Sequence, residues 1–346
     1  MILVPVADDR YIRQEILPEI GVDGQTRLAA AHAVIVGCGA LGSFQAQLLA
    51  RAGVGRLTLI DRDFVERSNL QRQVLFTDAD AASGMPKAAA AERAIGAINP
   101  EIRVTGIVDD LNAGTALALL AGADVLCDGT DNFETRYLLN DYAVRERIPW
   151  VYGGVIGTGG LVLPVLPGET PCLRCVFEIA PAPGSLPTCE TAGVLGTAVA
   201  VIAGVQATET LKVLVGAADR VLRALLRYDA WEPEFSIVKT GPPRRDCPVC
   251  GAGDFAYLEG RRGTRAARLC GRRAIQLLPR EGGEQPSLPA IAARLAAEWE
   301  VTVNDYLLRA RRDGVTVSLF RDGRAIVDGM TEETEARSLV ARVIGY

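Results

Sequence analysis

Ala33–Asp61 restricts the fold of this chain more than any other stretch. A short apolar run leads into Gly37-Cys38-Gly39-Ala40-Leu41-Gly42, an amphipathic segment follows, and a second apolar run ends in Asp61. That pattern reads as strand, glycine turn, helix, strand. Glycines at these positions let the backbone turn tightly and approach a phosphate, which the N–H groups of the following helix then hold. Asp61 lies 19 residues beyond Gly42, at the end of the second strand, where a carboxylate can accept ribose hydroxyls. Taken alone, the stretch is a dinucleotide site for NAD or FAD. The residues downstream decide which nucleotide it holds.

The rest of the first 150 residues continues the alternation. Met85–Ile98 has helical spacing, Arg103–Val108 and Val125–Cys127 read as strands, Phe133–Arg147 as a helix and Ile148–Tyr152 as a strand. Strands alternating with helices predict a doubly wound, mostly parallel sheet. Gly153–Gly168 is rich in glycine and Pro164–Pro187 in proline, which predicts loops and antiparallel edge strands. The longest apolar run, Ala192–Gly216, is broken by Gln206, Glu209 and Lys212 and reads as a buried core helix rather than a membrane span. Leu222–Asp229 reads as a strand and Gly241–Arg245 as a linker. Past Gly251 the pattern changes. Arg273–Leu278, Val301–Ala310, Val315–Arg321 and Arg324–Val327 have strand character, and Ser287–Glu300 and Thr331–Ile344 are helical. The expected organisation is one domain over residues 1–252 and a small α+β domain over residues 263–346.

Several function classes are excluded by what the chain lacks. A net charge of −5 and a pI near 5.2 argue against a nucleic-acid partner held through its phosphates. The chain has one histidine, His32, at the start of the first strand, so Ser-His-Asp and Cys-His mechanisms are disfavoured and His32 reads as structural. The opening MILVPVADDR turns acidic where a secretory leader would be apolar, and eight cysteines without a leader point to thiols or metal in a cytoplasmic protein. Four of them form two pairs, Cys172-x-x-Cys175 and Cys247-x-x-Cys250. Thiolates at this spacing and with no histidine predict a closed, structural zinc (Zn2+) site. Cys38, Cys127 and Cys270 read as buried bystanders.

The polar loop after Asp61, RDFVERSNLQRQVLF, selects the nucleotide. Arg72 and Lys87, with Asn69 and Gln73 beside them, bring cations and amides to the mouth of the glycine turn. An NAD site needs little positive charge there, whereas a triphosphate carries about four negative charges. Asp131 follows a strand end, where ligands gather in open α/β sheets, and a carboxylate there suits a magnesium ion (Mg2+) on phosphate oxygens. Together these residues favour ATP.

Arg13-Gln14, GCGALG, Asp61-x-Asp63, SNLQRQ (Ser68–Gln73), Pro86-Lys87, Asp128–Asn132, the two cysteine pairs and Thr188-Cys189 resemble the ThiF/MoeB family, bacterial relatives of the ubiquitin-activating enzymes. The C-terminal part, with Leu269-Cys270-Gly271-Arg272, resembles the extension of Bacillus-type ThiF proteins and does not resemble a rhodanese domain. The resemblance implies a Rossmann-like fold and an ATP-dependent adenylyltransferase. Such an enzyme activates the C-terminal Gly-Gly of a ubiquitin-fold sulfur carrier of the ThiS or MoaD type, in thiamine or molybdopterin biosynthesis, with a sulfurtransferase or cysteine desulfurase as a further partner. It implies nucleotide contacts from Gly37, Gly39, Gly42, Asp61, Asp63, Asn69, Arg72, Gln73, Lys87, Asp128 and Asn132, and magnesium on Asp131. It implies a homodimer in which Arg13 reaches the partner's ATP. Cys189 matches a cysteine that some members link covalently to the carrier and others do without, so its role stays open. The rival readings are an NAD(P)-dependent oxidoreductase, a dehydratase acting on modified tRNA, and a carrier-binding scaffold without catalysis. Arg72, Lys87 and Asp131 are unexplained by the first and the last, and the acidic charge disfavours the second.

Overall fold

His32–Val36 (β1) is buried along its whole length, as a run without an exposed face must be at the centre of a parallel sheet. The computed structural model describes residues 9–179, 192–232, 234–262, 274–277 and 286–344. The chain divides into two units, with the break after Arg262.

In the larger unit the helices Ile12–Glu15 (α1) and Gly21–Ala30 (α2) precede β1. Then come Ala40–Arg51 (α3), Arg56–Ile60 (β2), Asp78–Ser83 (α4), Lys87–Ile98 (α5), Arg103–Ile107 (β3), Ala116–Leu119 (α6), Val125–Asp128 (β4) and Phe133–Glu146 (α7). Trp150–Ile156 (β5), Gly159–Val165 (β6), Leu173–Val176 (α8), Gly196–Leu214 (α9), Leu225–Asp229 (β7) and Glu234–Val238 (β8) complete it. The sheet order is β3-β2-β1-β4-β5-β6-β7-β8. The first five strands are parallel and the last three add antiparallel. In register, Val36 lies between Ile60 of β2 and Asp128 of β4, so three strand ends converge on one edge. The order reverses between β1 and β4. That reversal opens a crevice at their carboxyl ends.

Two apolar layers sandwich the sheet. One contains Ile35, Leu49, Leu57 and Ile95, the other Val34, Leu126, Tyr137 and Trp150. α9 is apolar enough to cross a membrane by composition, but it packs on α3, β5 and β6 within this unit. Its buried Glu209 pairs with Lys212 at 2.6 Å and accepts the N–H of Leu222 at 2.8 Å, so a core helix accommodates the charge.

The glycine-rich stretch after Tyr152 departs from expectation. It is a β5–β6 hairpin inside the sheet, and β6 is an interior strand rather than an edge. Two of its glycines are packing glycines: a Cβ on Gly153 would fall 2.3 Å from the Gln206 amide of α9, and one on Gly160 2.6 Å from Ile202. β8, which is mostly exposed, lacks a buried alternation and was not anticipated. Gly241–Arg245, read as a linker, instead leads into the second cysteine pair, where the N–H of Arg244 reaches Cys175 Sγ at 3.5 Å.

The smaller unit is an antiparallel sheet, order β10-β11-β12-β13-β9, built from Ala274–Leu277 (β9), Glu300–Val303 (β10), Leu307–Arg312 (β11), Val315–Phe320 (β12) and Ala325–Asp328 (β13). Leu288–Leu295 (α10) and Glu333–Ile344 (α11) supply Ile291, Leu295 and Val340 to a core with Leu308, Val317 and Val327. The single strand expected over Val301–Ala310 is two strands. Asn304 Oδ1 accepts the N–H groups of Tyr306 and Leu307 and so turns the chain between them.

Candidate functional site

The glycine turn is packed on one side and open on the other. Gly37 has φ +88°, and a Cβ there would lie 2.6 Å from the carbonyl oxygen of Gly129; a Cβ on Gly42 would lie 1.8 Å from that of Gly37. These two glycines let the ends of β1, β4 and α3 approach. Gly39 differs, because its Cβ would meet nothing nearer than 3.8 Å, from Gln73 Nε2 and the Gly129 oxygen. The space beside Gly39 is the cradle. It faces the first turn of α3, whose N-cap, Gly39, provides no side-chain cap. Uncapped N–H groups beside an open glycine form a site for an anion.

Asp61 closes the turn. Its Oδ2 accepts the N–H of Cys38 at 2.7 Å and its Oδ1 accepts the N–H of Asp63 at 2.7 Å. Burial pushes its carboxyl above the ordinary carboxylate range, and the charge of Lys87 works against that rise. Lys87 is itself buried at the start of α5 and places its Nζ 3.3 Å from Asp63 Oδ2. Its N–H donates to the Asp63 carbonyl, so β2's end and α5's start are tied by backbone as well as by charge.

Between them runs the loop bearing Asn69, Arg72 and Gln73. Arg72 Nη1 donates to the Ser68 carbonyl at 3.0 Å. Asn69 and Gln73 are buried, yet Asn69 Oδ1 and Gln73 Oε1 have no hydrogen-bond partner. A buried amide oxygen without a donor is costly. It is the Gln73 amide nitrogen, a donor, that stands 3.8 Å from the Cβ position of Gly39, on the side where an anion would sit. Asp61, Asp63 and Lys87 are linked to the turn through Cys38, and Gln73 stands beside Gly39; Asn69 and Arg72 lie on the same loop as Gln73.

Asp128 is not among them. Its side chain is fully buried, Oδ1 accepts from Thr130 N–H (2.8 Å) and Oγ1 (2.7 Å), and Oδ2 accepts from Arg136 Nε (3.2 Å). Sealed behind the strand end with none of its surface exposed, it has no face for a nucleotide and serves to hold the turn that follows. Asn132 caps α7 by accepting the N–H of Thr135 at 2.9 Å. Asp131, between them, is exposed at the crevice and within the electrostatic reach of Arg62 and Arg136. Sequence reading missed both arginines. Arg62 pairs with Asp110 at 2.8 Å across the ends of β2 and β3, and only its place between Asp61 and Asp63 hinted at a role. Arg13 is exposed on α1. Cys189 lies outside the described residues, as do Thr188 and Cys270.

His32 is a core residue. Its Nδ1 faces the Gly122 carbonyl at 2.8 Å, which requires the proton on Nδ1, and Nε2 accepts from Thr58 Oγ1 at 2.8 Å. Burial lowers its pKa. Cys38 and Cys127 are buried, and burial raises the pKa of both thiols, that of Cys127 to about 12, so neither is a nucleophile.

The four paired cysteines converge away from the crevice. Sγ separations are 3.9 Å for Cys172–Cys175, 3.6 Å for Cys172–Cys247 and 3.3 Å for Cys175–Cys250, with all four within 4.8 Å of one another. Thiolates tetrahedrally bound to zinc stand ~3.8 Å apart, given Zn–S bonds of about 2.3 Å. Donor set and spacing fit zinc. The cluster joins α8 to the segment after β8, so an ion held there would work structurally.

The fold and the site define a class: an α/β nucleotide-binding protein with an antiparallel extension and a four-cysteine staple. Residues 11–249 match the ThiF family, and the chain belongs to that family. It is 44% identical to the sulfur carrier protein ThiS adenylyltransferase of Bacillus subtilis over 339 residues, 97% of this chain and 99% of that one. It is 45% identical to the sulfur carrier protein adenylyltransferase of Thermus thermophilus over 249 residues, 70% of this chain and 90% of the other. Among solved structures, Escherichia coli MccB with ATP is similar with a TM-score of 0.62 and 26% identity, over 71% of this chain and 75% of that one.

Proposed function

We propose that this protein is an ATP-dependent adenylyltransferase that activates the C-terminal carboxylate of a ThiS-type, ubiquitin-fold sulfur carrier. A nucleotidyltransferase activity is what its named relatives share. The observation that carries the reading is the open cradle at Gly39, where a Cβ would meet nothing nearer than 3.8 Å, faced by the uncapped start of α3.

The chemistry asks little of acid–base groups. A carrier carboxylate is ionised at neutral pH and attacks the α-phosphorus of ATP. One O–P bond forms, the bond from the α-phosphorus to the bridging oxygen breaks, and pyrophosphate leaves with the electron pair. A site whose one histidine is structural can perform this by positioning and charge neutralisation. Backbone N–H groups at Gly39 and α3 hold the phosphates, Arg72 and Lys87 offset their charge, and Asp61 accepts from the ribose. Asp131 is the carboxylate suited to magnesium, which would neutralise phosphate charge when bound. In a homodimer, the exposed Arg13 of a second copy is our candidate for a further cation at the site.

The similarity to the Bacillus subtilis enzyme runs through the C-terminal unit as well. That supports a ThiS-type carrier, and so thiamine biosynthesis, over a MoaD-type carrier. Four thiolates and no need for disulfides suit the cytoplasm.

ATP–pyrophosphate exchange with purified protein, magnesium and carriers ending in Gly-Gly tests this. Exchange with a ThiS-type carrier that disappears when the last glycine is removed establishes adenylation. ATP binding without exchange for any carrier would leave a scaffold and end the enzyme reading.

A further inference from the structure

We infer that Arg136 is the positioning residue for Asp131, fixing the peptide on which that carboxylate is carried; the inference rests on the nucleotide reading above. Arg136 occupies the first turn of α7 and is buried, where an arginine is found only when fully paired. Its Nε donates to Asp128 Oδ2 at 3.2 Å, and its Nη2 donates to the carbonyls of Thr130 at 2.7 Å and Gly153 at 3.1 Å. The Thr130 carbonyl belongs to the peptide that joins Thr130 to Asp131. Arg136 therefore sets the plane of that peptide, while Asp128 holds the preceding one, Gly129–Thr130, through the N–H of Thr130 at 2.8 Å.

The rings of Phe133 and Tyr152, 5.4 and 5.2 Å from the guanidinium carbon, pack against it, and Gly153 ties it to β5. Every other contact of the turn is accounted for: Asp128 is buried and Asn132 caps α7. Asp131 alone is left exposed at the crevice, directly after Thr130, whose N–H and carbonyl are both held. A buried Asp–Arg pair is a poor source of net stability, since desolvation offsets its attraction. What it gives in exchange here is direction: one loop conformation, with one carboxylate aimed outward. The guanidinium charge of Arg136, like that of Arg62, lies within electrostatic reach of Asp131.

The test measures binding of α,β-methylene ATP by calorimetry, in magnesium-free buffer and with magnesium, to the full chain. Arg136→Lys keeps the charge but loses the forked donor geometry. Asp128→Asn/Arg136→Gln removes both charges, so no carboxylate is left buried alone. In wild type, magnesium tightens binding, and Asp131→Asn abolishes that gain. Both Arg136 variants should cut the magnesium gain about tenfold while magnesium-free binding stays within about twofold, the signature of a misplaced group rather than a damaged site. The inference is overturned if both variants keep the full magnesium gain. Equal loss of binding with and without magnesium also overturns it, as does loss of the fold in both. A wild-type protein that binds no nucleotide is a separate outcome, and removes the nucleotide reading along with the inference.

Discussion

Asp61 Oδ2 accepts the N–H of Cys38 at 2.7 Å, so the residue that ends β2 also clamps the middle of the glycine turn that follows β1. The carboxylate proposed to take the ribose and the glycine cradle are therefore one mechanical unit. Asp61→Ala removes a charge-assisted bond and the proposed ribose acceptor together. We expect nucleotide binding to weaken by at least about tenfold, the effect of losing one hydrogen bond to a charged group. Calorimetric titration that gives wild-type affinity for this variant would show that the carboxylate only braces the loop.

The glycines of the turn should separate folding from binding. Gly42→Ala forces a methyl to within 1.8 Å of the Gly37 carbonyl, a clash that nothing flexible can relieve, so a loss of roughly 3 kcal/mol or more is expected on denaturant unfolding. Gly39→Ala meets nothing nearer than 3.8 Å and should melt like wild type. It fills the cradle, however, and should bind ATP far more weakly. A Gly39→Ala protein with unchanged ATP affinity would place the phosphates elsewhere.

Stripping metal with a strong chelator should lower the melting temperature of the larger unit by several degrees or unfold it, because the free energy of metal binding at such a site is part of the free energy of folding. Elemental analysis should find one zinc per chain, and Cys250→Ser should lose it. Adenylation by the residual folded fraction should persist, since the cluster is apart from the crevice. Full stability after verified metal loss would make the cysteines ordinary core thiols.

Asp141 gives a pH dependence with a definite sign. It is buried in α7 and accepts the N–H groups of Tyr257 and Leu258, while its Oδ1 has no hydrogen-bond partner. Burial raises its pKa from 3.8 to about 6. The folded state therefore holds this proton more tightly than the unfolded chain, so the stability it contributes is present at low pH and lost as pH rises through about 6. Asp141→Asn should gain on wild type by about 1.4 kcal/mol between about pH 5 and pH 7.5, read from paired denaturant curves. A difference that stays flat with pH would mean that Asp141 is not titrating in this range.

Much of this protein was legible in the chain. Gly37 to Gly42, Asp61, the SNLQRQ loop and the cysteine pairs are local patterns whose chemistry follows from residue type and spacing, and the parallel half of the sheet follows from alternating periodicities. What the sequence could not carry was orientation. Asp128 and Asp131 stand three residues apart in one polar run, yet one is sealed behind the strand end by Arg136 and the other faces the crevice. Periodicity has nothing to say about a turn. Which of two carboxylates is buried depends on an arginine one helical turn downstream and on a backbone carbonyl of β5, groups that only the fold brings together. The same holds for Gly153, which belongs to a sheet interior rather than a loop because Gln206, distant in sequence, fills the space its side chain would need. Residue types set which groups this protein can use, and long-range packing decided which of them reach the site.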